Sequence, residues 1–156
     1  MIRKLSTRGQ AGYTLAELVM VAAVMVILAG AVLPAVKFTS RRTKEMELRH
    51  DLRMMRDAID SYKRYSDMNL ITIDVGAEGW PSELDDLVEV EIVGQIDKKL
   101  KLLRRIPVDP MTGEAEWGLR SYQDEPDSDS WGGENVYDVY SLSSGVGLNG
   151  VPYRDW

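Results

Sequence analysis

The sequence predicts an α+β fold in which one long amino-terminal helix, apolar in its first half, packs by its second half on a small antiparallel β-sheet. Three observations predict it. Residues 18–36 run without a charged side chain, the length of a membrane-crossing helix. Further on, Leu48, Leu52, Met55, Ile59 and Tyr62 recur at alternating spacings of four and three, which is the stripe of an amphipathic helix. After residue 105, short β-prone pieces alternate with turn residues.

Composition sets the limits. A chain of 156 residues, 44% of them hydrophobic, suits one membrane segment and one compact domain. It has no cysteine, which excludes a disulfide framework, a thiolate metal site and a cysteine nucleophile. The net charge of -6 is unevenly spread, because Arg3, Lys4 and Arg8 against Glu17 leave residues 1–36 positive. The remainder is therefore more acidic than the whole. Such a domain is a poor electrostatic match for nucleic acid, whose binding rests on neutralising phosphates with Lys and Arg, so no nucleic-acid partner is expected.

The amino end carries the sharpest signal. Residues 1–12, "MIRKLSTRGQAG", are short and basic, and a positive flank is expected to stay in the cytoplasm. As a helix, residues 13–36 are roughly 36 Å long, enough to cross a hydrocarbon core of about 30 Å. An ordinary secretory signal has an apolar region of roughly 7 to 15 residues before a small-residue cleavage site. The run here is longer and meets Pro34, although Ala29, Gly30 and Ala31 keep that alternative open.

Neither an export signal nor a plain anchor explains Glu17. A carboxylate held at mid-bilayer costs roughly 2.5 to 3.5 kcal/mol. Cleavage between Gly12 and Tyr13 would supply a partner, since the new α-ammonium of Tyr13 lies one helical turn from Glu17. Unit charges about 4 Å apart attract by roughly 4 kcal/mol at an effective dielectric near 20. In a polymer the same carboxylate could face the amino terminus of a neighbouring subunit, offsetting the burial of both charges.

The stretch "RGQAGYTLAELVMVAAVMVILAGAVLPAV" resembles the class III signal of type IV pilins and type II secretion pseudopilins: a basic leader ending in glycine, an aromatic, Thr-Leu, an acid fifth after the cut, then a long apolar helix. The resemblance implies that a prepilin peptidase cleaves after Gly12 and methylates Tyr13, where Phe is more usual. It also implies assembly roles for Glu17 and for Pro34, where the helix loosens as subunits enter a fibre. The implied organisation is a leader at 1–12, a transmembrane and filament-core helix at 13–36, and a periplasmic pilin-like globular domain at 37–156.

In the middle of the chain the reading is one helix from about Tyr13 to about Tyr65, bent or loosened at Pro34 by the missing N–H. Met46, Met54 and Met55 read as packing residues, and His50 as a solvated helix residue with no second histidine to make a catalytic or metal pair. "GWPSELDDL" predicts a short helix near 82–88, with Pro81 and acids at its start. "QIDKKLKLLRR" predicts a second short helix with a basic face of Lys98, Lys99, Lys101, Arg104 and Arg105. That face is either solvated or a patch for the acidic domain of the next subunit.

At the carboxyl end Pro107, Pro110 and Gly113 punctuate a turn, and strands are expected at 117–122 and 136–141. The order of a long helix, "GWPSELDDL", "RIPVDP" and "YDVYSL" before a glycine-rich end is similar to the major, G-type pseudopilin of type II secretion. The resemblance implies a calcium ion in the loop after the last strand, which would take roughly six to eight oxygens. In "SSGVGLNG" Gly145 stands about where an Asp is usual, leaving Asp155 as the later ligand. A second calcium candidate is the insertion "QDEPDSDSWGGEN", with Asp124, Asp127, Asp129 and Glu134. The same insertion reads first as a solvated acidic loop in which Trp131 packs, with calcium or a basic neighbour as the alternatives.

No histidine pair, phosphate-cradling loop or nucleophile with a base is present, so no enzyme is expected. The resemblance implies a structural subunit that polymerises head-to-tail into a periplasmic pseudopilus driving protein export. Its implied partners are further copies, prepilin peptidase, minor pseudopilins, an inner-membrane platform protein and an assembly ATPase. The implied location is the bacterial inner membrane, with the leader cytoplasmic. The alternatives are a type IV pilin forming a surface fibre for adhesion, motility or DNA uptake, and an exported binding module with an ordinary signal.

Overall fold

A computed structural model describes residues 12–74, 76–128 and 130–156, and the side chains of all of these except 31–36 and 95–97. The chain divides into two units, residues 1–40 and 41–156. Helix α1 is assigned over Leu15–Asp67, close to the expected bounds. Residue 34 is helical, but the side chain of Pro34, and with it the expected loosening, lies outside the described residues.

Between Leu18 and Gly30 α1 is apolar on every face. Leu15, Leu18, Val19, Met20, Val24, Met25 and Ile27 are all exposed. Among the described residues no helix is long and apolar enough to cross a membrane; the described side chains of the apolar run stop at Gly30.

In the second unit the helix is amphipathic and its stripe is buried as expected. Leu48, Leu52, Met55, Ile59 and Tyr62 form one core with Ile71, Leu87, Val90, Trp117, Val136, Val139 and Tyr153. Each fully buried aliphatic of this kind contributes roughly 1.5 to 3 kcal/mol relative to exposure. Met55 is buried and Met54 packs against the core, but Met46 is 54% exposed. Its position falls off the stripe, so the packing reading of Met46 is corrected.

The helix packs on two antiparallel pairs instead of one sheet. β1 (Val90–Ile92) pairs with β2 (Gln95–Leu100), and β3 (Gly118–Arg120) with β4 (Asp138–Tyr140). Val139 of β4 turns inward on the core, and Tyr140, also buried, lies opposite Gly118. A Cβ at Gly118 would enter the Tyr140 ring, so β3 needs glycine there. The segment before β1 joins its edge, with an isolated bridge between Ile71 and Ile92 and a bond from Thr72 N–H to the Glu91 carbonyl.

The second short helix is not formed: residues 95–100 are β2. Gly94 takes a positive φ of 76°, which reverses the chain against β1 at a position that side-chain-bearing residues disfavour. The basic residues then lie on a strand and the loop after it. Lys99 and Lys101 form ion pairs with Glu89 of the same chain, so no single basic helix face exists. The helix near 82–88 is present as one 3-10 turn, Leu84–Leu87. Asp86 closes a capping box on Glu83, and Leu84 and Leu87 enter the core.

Candidate functional site

Helix α1 begins with a local device. The Glu17 N–H donates to Oγ1 of Thr14 at 3.2 Å, and the Leu18 N–H donates to the Thr14 carbonyl at 3.1 Å. Thr14 is thus the amino-terminal cap, and Glu17 sits three residues on, in the Thr-x-x-Glu order of a capping box. The acid also meets the positive end of the helix dipole. Gly12 and Tyr13 precede the cap, exposed and outside the helix. Gly12, Tyr13 and Glu17, three of the residues named from the sequence, therefore lie together at the helix start, whereas Pro34 lies far along α1. The capping role was legible in "TLAE".

The loop after β4 is fastened by charges that the sequence reading missed. Glu45 of α1 is only 4% exposed. Its carboxylate accepts from the Leu148 N–H at 2.8 Å and from the Tyr153 hydroxyl at 3.0 Å, and Arg41 lies 3.5 Å away. Arg41 in turn donates to the Tyr153 oxygen at 3.2 Å and to the Val146 carbonyl. The donor set of this loop does not fit calcium. Asp155 pairs with Arg154, Glu45 is engaged, and the space at Gly145 that an acid would use is filled by the Tyr153 ring.

A second polar node joins α1 to both strands of the other sheet. Asp138 of β4 takes Nε of Arg56 at 2.6 Å and lies 3.7 Å from Arg120. Arg56 also donates to the main-chain oxygens of Val139 and Trp156. Arg120, 8% exposed, lies over the Tyr140 ring and donates to the Ser128 and Arg154 carbonyls.

In the acidic insertion, Asp124 accepts from the main-chain N–H groups of Ser121 at 2.7 Å and Gly132 at 3.0 Å. Those bonds, Ser121 first, hold its carboxyl below its ordinary value. Asn135, fully buried, organises the rest: its carbonyl accepts from the Trp131 indole and the Ser121 hydroxyl, and its side chain accepts from the Tyr122 N–H. Trp131 is 40% exposed, so its indole tethers the loop while much of its ring stays wet. Asp127 and Glu134 are exposed, and Asp129 lies outside the described residues. Among the described residues no group of three acidic or histidine side chains is placed to hold a metal ion.

Comparison of the chain with known protein families, characterised proteins and solved structures finds no match.

Proposed function

We propose that this chain is a filament subunit of the pilin-like class, and within that class a pseudopilin of type II secretion. The observation that carries the reading is the helix start: exposed Gly12 and Tyr13, a Thr14 cap, one acid at Glu17, then a helix apolar on every face. A helix hydrophobic all round is stable only when lipid or other helices surround it. Lipid before assembly and neighbouring helices after it supply both environments. The domain at 41–156, a helix backed by two small sheets, suits the outer shell of such a filament.

The experiment is the mass and amino-terminal sequence of the mature protein from its own host. A start at Tyr13, with or without an added methyl group, supports the reading. A start beyond Ala31 overturns it in favour of an ordinary exported protein.

A further inference from the structure

Two open clefts of opposite sign flank α1 in the second unit. One, of about 200 Å³, is lined by Tyr62, Asp74, Asp86, Glu89 and Glu91, among others. That is several times the share of one water molecule, about 30 Å³. The other, of about 350 Å³, is lined by Arg49, Arg53, Arg56, Asn149, Asp155 and Trp156, with Leu52 and Val151.

Partners inside the chain decide which groups remain available. In the acidic cleft Glu89 is paired with Lys99 and Lys101. Asp86 accepts the N–H groups of Ser82 and Glu83, and Asp74 accepts the Ser82 hydroxyl. Among the described residues the Glu91 carboxylate makes no ion pair. Tyr62, only 5% exposed, lines the cleft with a hydroxyl that has no hydrogen-bond partner among the described residues. Burial first, then Asp86 and Asp74, push that hydroxyl up to about 12, so it is a neutral phenol facing acids. The hydroxyl opens into the cleft, since no side-chain polar atom is left buried without a partner among the described residues, and its oxygen can accept from a cation.

In the basic cleft Arg56 is committed to Asp138 and Trp156, and Arg49 stacks on the Trp156 ring at 4.1 Å. Arg53 is exposed and has no ion pair among the described residues. At about 100° per residue, Arg49, Arg53 and Arg56 fall on one flank of the core stripe and Tyr62 at its opposite edge. Tyr62 also lies about 14 Å further along the helix than Arg53. Opposite charges offset along the axis and facing opposite ways cannot pair within one molecule. They are arranged for a heterologous, head-to-tail contact.

We propose that the acidic cleft takes the Arg53 guanidinium of a second copy of this chain, with Glu91 as its carboxylate partner and the Tyr62 oxygen as a further acceptor. This contact rests on the filament reading above and names one of its subunit interfaces. A planar guanidinium donates several N–H groups at once, which suits a cleft holding a carboxylate and a phenol side by side.

The test uses the full chain in cells that carry its assembly machinery, with pelleted filament as the readout. Arg53→Glu and Glu91→Arg each place like charges together and are expected to lower assembled protein at least about tenfold. The pair in one chain restores the contact with its sign reversed and is expected to recover most of that loss. Thermal unfolding of each variant separates assembly from folding, which matters most for Glu91→Arg because Lys99 stands opposite residue 91 in the β1–β2 pair. Both single variants at the wild-type level overturn the contact while leaving the filament reading standing. Loss in Glu91→Arg with Arg53→Glu unaffected shows a different cation in the cleft and also overturns it. So does loss in both without recovery in the pair. Absence of filament from the wild-type chain removes the filament reading itself, and this contact with it.

Discussion

Glu45 and Tyr153 are 108 positions apart in sequence and share a hydrogen bond of 3.0 Å in the fold. The bond ties the loop after β4 to α1, and the Leu148 N–H binds the same carboxylate oxygen. One buried acid therefore holds a whole segment against the helix.

Replacing Glu45 with Ala leaves the Leu148 N–H and the Tyr153 hydroxyl without their acceptor. Hydrogen bonds to a charged group contribute about 1.5 to 3 kcal/mol, so Glu45→Ala is expected to lower stability by about 2 to 3 kcal/mol. Arg41→Ala removes an exposed, solvent-screened partner and is expected to cost less. Denaturant unfolding of the two variants checks the ranking; equal losses would show that Arg41 fastens the loop as much as Glu45 does.

Asp138 sits between Arg56 and Arg120, so its removal strands a guanidinium that is nearly buried. Asp138→Ala is expected to cost about 1.5 to 3 kcal/mol. A double-mutant cycle with Arg56→Ala is expected to give a coupling of about 1 to 2 kcal/mol, within the range for contacting charges. Additive losses would remove the bridge from the account.

Asp51 predicts a pH effect. Burial raises its carboxyl above the ordinary value, and the carboxylates of Glu47 and Asp109 push the same way, against His50. The folded state thus favours the protonated acid. Its stabilising contribution is fully present below the unfolded value of about 3.8 and is lost as pH rises through the folded value. Asp51→Asn is therefore expected to raise the unfolding midpoint at pH 7 and to leave it unchanged near pH 3. The opposite order of the two effects would mean that Asp51 gains a partner on folding.

Two roles are proposed for Glu17, and one substitution separates them. Gln keeps the Thr-x-x-Glu/Gln capping pattern but removes the charge that a Tyr13 α-ammonium would meet. If the charge matters, Glu17→Gln and Glu17→Ala both lose filaments while cleavage and membrane insertion persist. Assembly in Glu17→Gln with loss in Glu17→Ala would assign the acid to helix capping alone.

The parts of the fold that were legible are those written in local order. The stripe from Leu48 to Tyr62 is buried as its spacing required, and the strand pieces around Leu119 and Val139 appear where β-prone residues met turn signals. Residues 95–100 misled because their lysines and leucines have good helix propensity. Pairing with β1, made available by the reversal at Gly94, overrode it. The site divides the same way. Gly12, Tyr13 and Glu17 were named from their spacing, whereas Glu45, Asp138 and Tyr62 looked like ordinary surface or core residues.

By itself, the sequence determined the long helix, the change along it from apolar on all faces to one buried stripe, and the acid at its start. Periodicity and charge are properties of neighbouring residues, so they survive in one dimension. Tertiary structure alone decided that Glu45 meets Tyr153, that Asp138 is shared by Arg56 and Arg120, and that Tyr62 shares a cleft with Asp74, Asp86, Glu89 and Glu91. Those pairings depend on the path of the intervening chain, because a polar side chain binds whatever the fold brings within about 3 Å, and nothing in its own neighbourhood records what that will be.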